Sequence, residues 1–134
     1  MITAVDTSVL LDVFLPDPDH GAQSRNWLRA AYDSGAIVVC DIVYAELTPA
    51  FPDRATLDRA LLEINAATSP IDTNVAFAAG QRWTRYRQAG GSRTRIITDF
   101  LIGAHALSIA DTFLTRDRGF YATYFPELER PSAD

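Results

Sequence analysis

Asp6, Glu46, Asp99 and Asp117 are the side chains of this 134-residue chain whose type and placement point to chemistry. Asp6 stands directly after the β-prone run 2–5, and Asp117 directly after a second such run near 112–115. Asp99 follows Ile96, Ile97 and Thr98 and opens a strongly apolar stretch. In an open α/β sheet, ligands bind beyond the carboxyl ends of the strands, so acids at these places are candidates for a site. Each also has an ordinary reading, Asp6 and Asp99 as helix N-caps and Asp117 as a turn residue. Glu46 is set against Ile42, Val43 and Ala50, positions that share an apolar helix face, where a carboxylate is costly unless paired or metal-bound. The alternative is that Tyr44 and Leu47 mark the inward face and Glu46 is solvated.

Brought into one place, these acids would repel one another. Two carboxylates about 4 Å apart cost roughly 4 kcal/mol at an effective dielectric near 20. Cations relieve that cost, and hard oxygen ligands suit Mg²⁺ or Mn²⁺. Such ions lower the pKa of a bound water, orient it for in-line attack and stabilise a leaving oxygen, which is what phosphodiester hydrolysis requires. With only two histidines in the chain, a histidine-based nuclease has little support. His105 reads as a packed core residue and His20 as an exposed residue near a helix start.

The elements that must hold the acids alternate between strand and helix. Strands are expected at 2–5, 37–40 and 112–115, with a less distinct one near 69–72. Helices are expected at 8–15, broken by Pro16 and Pro18, at 20–33, and from Asp41, a natural N-cap, to about Ala50. A further helix starts at Pro52 and Asp53 and carries Leu57, Ala60, Leu61 and Ile64 on one stripe. The helix at 73–88 aligns Ala76, Ala79, Trp83 and Tyr86, and the helix at 99–109 is apolar almost all round, hence buried on more than one side. This order implies a parallel sheet covered on both faces, an α/β/α sandwich. The length suits one domain over 1–134.

Composition narrows the class. The content of 48% hydrophobic and 22% charged residues fits an ordinary globular protein. No apolar run is long enough to span a membrane, and the N-terminus does not read as a secretory signal. The single Cys40 cannot form an internal disulfide, which favours a reducing cytoplasm; it reads as a small buried residue. A net charge of −5 disfavours simple nonspecific nucleic-acid binding. The distribution softens that objection, because all twelve basic residues are arginine and five of them (Arg82, Arg85, Arg87, Arg93 and Arg95) fall in a stretch without acids.

Four stretches, VDTSVLLD at 5–12, VYAEL at 43–47, ITDFLIGAHAL at 97–107 and LTRDRGFY at 114–121, come in an order and spacing that resemble the PIN-domain ribonucleases, specifically the VapC-type toxins of bacterial toxin–antitoxin pairs. The resemblance covers nearly the whole chain. It implies an α/β/α sandwich, an Mg²⁺- or Mn²⁺-dependent endoribonuclease leaving 5′-phosphate and 3′-hydroxyl ends, a cognate antitoxin and a homodimer. It assigns Asp6, Glu46, Asp99 and Asp117 to the metal site. Thr7, Ser8 and Thr115 match hydroxyl positions beside them that could bind a metal water or a phosphate. Asp12 also matches the subgroup and is read as an exposed helix residue. The chain departs from the pattern over 125–134, where members commonly place a final apolar strand.

For the RNA, Arg93 and Arg95 in the Gly90–Gly91 loop could guide phosphates toward the metals. Trp83 and Tyr86 could stack on bases, although a core stripe is the simpler account of both aromatics. Two other classes compete. A phospho-accepting receiver domain also clusters aspartates on a parallel sheet, but it needs a late lysine that this chain lacks. A catalytically silent PIN-like module binding RNA or protein is the remaining alternative.

Overall fold

The computed structural model describes residues 1–92 and 97–131. Its elements run β1 (Ile2–Val5), α1 (Thr7–Phe14), α2 (Gly21–Ser34), β2 (Ala36–Cys40), α3 (Asp41–Leu47), a 3₁₀ turn at Thr48–Ala50, α4 (Arg54–Glu63), β3 (Ala66–Ser69), α5 (Thr73–Gln88), α6 (Ile97–Ile109), β4 (Thr112–Leu114) and α7 (Arg118–Tyr124). The four strands pair in parallel in the order β3-β2-β1-β4. Parallel neighbours need crossovers, and crossovers are right-handed. The steps β1 to β2 and β2 to β3 run one way, so α1–α4 cover one face. The return from β3 to β4 places α5 and α6 on the other, giving the expected α/β/α sandwich.

Local chemistry sets most boundaries. Asp53 and Asp72 cap α4 and α5, accepting from Thr56 N at 2.8 Å and Val75 N at 2.9 Å. Asn65 ends the α4 turn with a φ of 56°, a conformation that asparagine tolerates better than most residues. The uncertain strand lies three residues earlier than the sequence suggested, at 66–69. It pairs there from Ile37–Ala66 to Cys40–Ser69, while Asp72 is taken up as a cap. Asp41 is not an N-cap: Cys40 holds that position, and Asp41 is the first helical residue.

The core comprises Ala4, Val5, Ile37, Val39 and Phe113 of the sheet with Val9, Leu10, Val43, Leu47, Leu57, Phe100 and Ala106 of the helices. Consecutive residues Ile102–Ala106 of α6 are all buried, as its uniform apolarity predicted. An aromatic cluster of Tyr86, Phe100, Phe120, Tyr121, Tyr124 and Phe125 clamps α7 to α5 and α6, with ring centroids 4.9–6.3 Å apart. Gly103 makes this possible, because a Cβ there would stand 2.6 Å from the Phe125 ring. On α5 the inward stripe is Val75, Ala79 and Tyr86; Ala76, assigned to that stripe from the sequence, faces out.

No fifth strand follows β4 among the described residues. Phe113 N donates to Glu129 O at 2.9 Å, and Leu128 is buried, so the C-terminal segment lies along the outer edge of β4 without forming a ladder. Arg82 secures it by an ion pair with Glu127 and a 2.7 Å bond to Tyr124 O. Among the described residues no helix is long and apolar enough to cross a membrane.

Candidate active site

The register of β1 and β4 brings two parts of the chain side by side. Val5 pairs with Leu114, and Asp6 N donates to Leu114 O at 2.9 Å. The residues just past the two strands, Asp6 and Thr115, therefore meet. Thr115 is fully buried. Its hydroxyl donates to Asp6 Oδ2 at 2.8 Å and accepts from Asp117 N at 3.0 Å. One threonine thus fixes the Asp6 carboxylate and the backbone that carries Asp117. Asp117 occupies the N-cap position of α7 without spending its side chain on a cap.

Thr7 does the corresponding work on the other side. Its N–H donates to Asp6 Oδ1 at 2.8 Å, so Asp6 does cap α1, and its hydroxyl donates to Glu46 Oε1 at 2.7 Å. This bond brings α3 to the end of β1. Glu46 itself is exposed, which corrects the expectation of a carboxylate on an apolar face. Val43 and Leu47, one turn apart, are the buried positions of α3, and Glu46 looks out toward Thr7. Asp99 lies in the first turn of α6, half-buried, and the Tyr121 hydroxyl approaches its carbonyl oxygen at 3.5 Å.

The electrostatics tie the four acids together. Burial, and then the charges of Asp99 and Glu46, push the Asp6 carboxyl from 3.8 up to about 6, against the two hydrogen bonds that favour its anion. Tyr121, fully buried beneath, is raised far above its usual range by burial and by all four acids, Asp6, Asp99, Asp117 and Glu46. The sequence reading missed Tyr121; its one signal was a place in the aromatic run after Asp117. Among the described residues, no three acid, histidine or cysteine side chains close tightly enough to hold an ion as they stand.

The remaining candidates separate. Ser8 Oγ is buried without a hydrogen-bond partner. Arg93 and Arg95 lie outside the described residues. Tyr86 is buried, with its hydroxyl donating to Ser92 O at 2.6 Å, and Trp83 is half-buried under the Arg87 guanidinium; both belong to packing. His105 is buried in the core 2.9 Å from Ser69 Oγ, and its pKa is lowered chiefly by that burial. Cys40 is buried and its thiol is pushed up by burial.

Asp12 is a second correction. It is 3% exposed, not a surface residue. Ser24 Oγ donates to its Oδ2 at 2.7 Å, and Arg116 grips both oxygens, Nε to Oδ2 at 2.8 Å and a terminal nitrogen to Oδ1 at 3.1 Å. Arg116 sits between Thr115 and Asp117, so this bidentate pair anchors the same loop that Thr115 anchors from the other side.

The PIN domain family matches residues 3–126, which is nearly the whole chain. The chain belongs to the PIN domain family. Solved structures share the fold of this PIN domain. VapBC2 from Rickettsia felis, bound to a DNA fragment from its promoter, has a TM-score of 0.74 at 21% identity over 100% of both chains. VapBC-1 from nontypeable Haemophilus influenzae has 0.70 at 20% identity over 98% of each. A toxin–antitoxin complex from Klebsiella pneumoniae has 0.68 at 17% identity over 90% of each. Identities this low speak to the fold alone. No curated protein matches this PIN domain in sequence.

Proposed function

We propose that this PIN domain is a divalent-metal-dependent endoribonuclease and the toxin of a toxin–antitoxin pair. One observation carries the reading: Thr7, through its N–H and its hydroxyl, links Asp6 to Glu46, and the Thr115 hydroxyl links Asp6 to the Asp117 loop, while Asp99 adds its charge to the same point. A fold gains no stability by burying a carboxyl, and then setting the charges of Asp99 and Glu46 against it, so that it rises to about 6. The arrangement makes sense if a cation joins them.

The donors fit such a cation. All are hard carboxylate oxygens, which suit Mg²⁺ or Mn²⁺. Mg²⁺ commonly takes one or two carboxylates and completes its shell with water and substrate phosphate, so a site without a closed protein cage is in keeping with it. Asp6, Asp99, Asp117 and Glu46 would hold the ion. Bound there, it would supply a water of lowered pKa and a counter-charge for the phosphodiester oxygens. The protein's own part is positional. Thr115 fixes the Asp6 carboxylate and the backbone that carries Asp117, Thr7 holds Glu46 beside Asp6, and the buried Tyr121 keeps the site's floor dry, which strengthens the charges there.

The toxin role is supported by the family and by the toxin–antitoxin assemblies among structures of the same fold. A cognate antitoxin, a homodimer and a cytoplasmic location go with that reading. To test it, total RNA is incubated with the parent protein and Mg²⁺ or Mn²⁺, beside Asp6→Asn and Asp99→Asn variants, and the cut ends are mapped. Metal-dependent cuts with 5′-phosphate ends, lost in both variants, are expected. Equal cutting by the variants would contradict the assignment.

A further inference from the structure

A small pocket of opposite character is lined by both sequence neighbours of Asp117. Its volume is about 180 Å³, room for a phosphate with some water, and it is lined by His20, Gln23, Ser24, Trp27, Arg116 and Arg118. Arg116 and Arg118 flank Asp117 in the sequence, so the pocket begins one residue from an acid of the site. The two arginines differ in state. Arg116 spends two donors on buried Asp12, which fixes its plane and leaves the rest of its fork uncommitted. Arg118 carries a buried terminal nitrogen, NH1, with no hydrogen-bond partner. A buried charged donor without an acceptor is costly, so the Arg118 guanidinium gains from an acceptor brought within its reach.

We infer that this pocket is a phosphate-binding subsite for single-stranded RNA, in which Arg116 and Arg118 grip the phosphate adjacent to the one at the acidic cluster. The inference rests on the nuclease reading for its direction along the strand. The chemistry favours RNA over an acidic peptide. Trp27, half-buried in the same wall, is an aromatic group of the kind on which bases stack. Planar guanidinium forks match phosphate oxygens.

The experiment measures binding without cleavage. A short fluorescein-labelled single-stranded RNA is titrated with the parent chain in EDTA at several salt concentrations, beside Arg118→Gln and Trp27→Ala, with Arg54→Gln on exposed α4 as control. Arg118→Gln is expected to weaken binding about tenfold and to lower the salt slope by about 0.7, the share of one phosphate contact on a single strand. Trp27→Ala should weaken binding with the slope kept, and Arg54→Gln should match the parent. The melting temperature of Arg118→Gln should not fall, since NH1 loses no partner. Parent-like affinity and slope in Arg118→Gln would overturn the inference, as would failure of the parent to bind RNA. Loss of affinity for an acidic peptide with RNA binding intact would also overturn it, in favour of a protein-docking surface. Cleavage is scored separately with Mg²⁺. If the parent binds through Arg118 but never cuts, the nuclease reading fails and the subsite stands. If it cuts and Arg118→Gln keeps the parental KM, the subsite alone fails.

Discussion

With its carboxyl raised to about 6, Asp6 is protonated in the metal-free fold at pH values where the unfolded chain has already ionised it. A raised folded-state pKa contributes stability that is fully present below the unfolded value of 3.8 and is lost as pH rises through about 6. The metal-free protein should therefore lose about 3 kcal/mol from this group between pH 3 and pH 7, of which about 1 kcal/mol falls between pH 5 and pH 7. Asp6→Asn should flatten that dependence and leave the metal-free protein more stable than the parent at pH 7, read from urea unfolding at both pH values. A parent and variant with the same pH dependence would contradict the origin of the shift. At this scale the sequence was legible where a residue's role follows from its place at a strand end, as for Asp6 and Asp117. It was not legible for Asp12, whose partner Arg116 lies 104 residues away, nor for the outward face of Glu46. A seven-residue helix offers too few positions for periodicity to settle its inward side, and Val43 and Leu47 decided it.

Among elements, the loop between β4 and α7 carries the most. Thr115 ties it to β1, and Arg116 ties it to α1 through Asp12. The Asp12–Arg116 pair is unequal: Asp12 is 3% exposed and the Arg116 side chain 36%. Removing the arginine strands a buried anion, whereas neutralising the aspartate leaves a cation that reaches water and a Ser24 bond that survives. Arg116→Met should therefore cost about 3 kcal/mol and Asp12→Asn about 1–2 kcal/mol, measured by chemical denaturation; the reverse order would refute the asymmetry. Gly103→Ala should also destabilise by about 1–3 kcal/mol, because its Cβ meets the Phe125 ring, a cost that a thermal melt would register. Strand and helix order could be read from the sequence because hydrophobic runs and caps are local signals. The displaced β3 could not, because the short run Ala66–Ser69 has little apolar character and is a strand only through its pairing with β2.

Over the whole molecule, the family pattern and the parallel sheet agree, and the departure after Phe125 has a structural counterpart. In place of a final strand, the chain covers the β4 edge with one backbone bond to Glu129, the buried Leu128 and the Arg82–Glu127 pair. Ending the chain at residue 126 should lower stability by about 2–4 kcal/mol. It should also bare a sheet edge, with aggregation visible by light scattering; a truncated protein as stable and monodisperse as the parent would show that the segment is dispensable.

The pairing of β1 with β4 has a consequence for how the molecule comes into being. A ribosome delivers Asp6 early and Thr115, Arg116 and Asp117 more than a hundred residues later. Until that late segment emerges, β1 lacks one neighbour and Asp6 lacks the hydroxyl that orients it. Joining ends so distant in sequence is also a slow step in folding. The acidic cluster therefore assembles only after residues 115–117 have joined the chain and β4 has paired with β1.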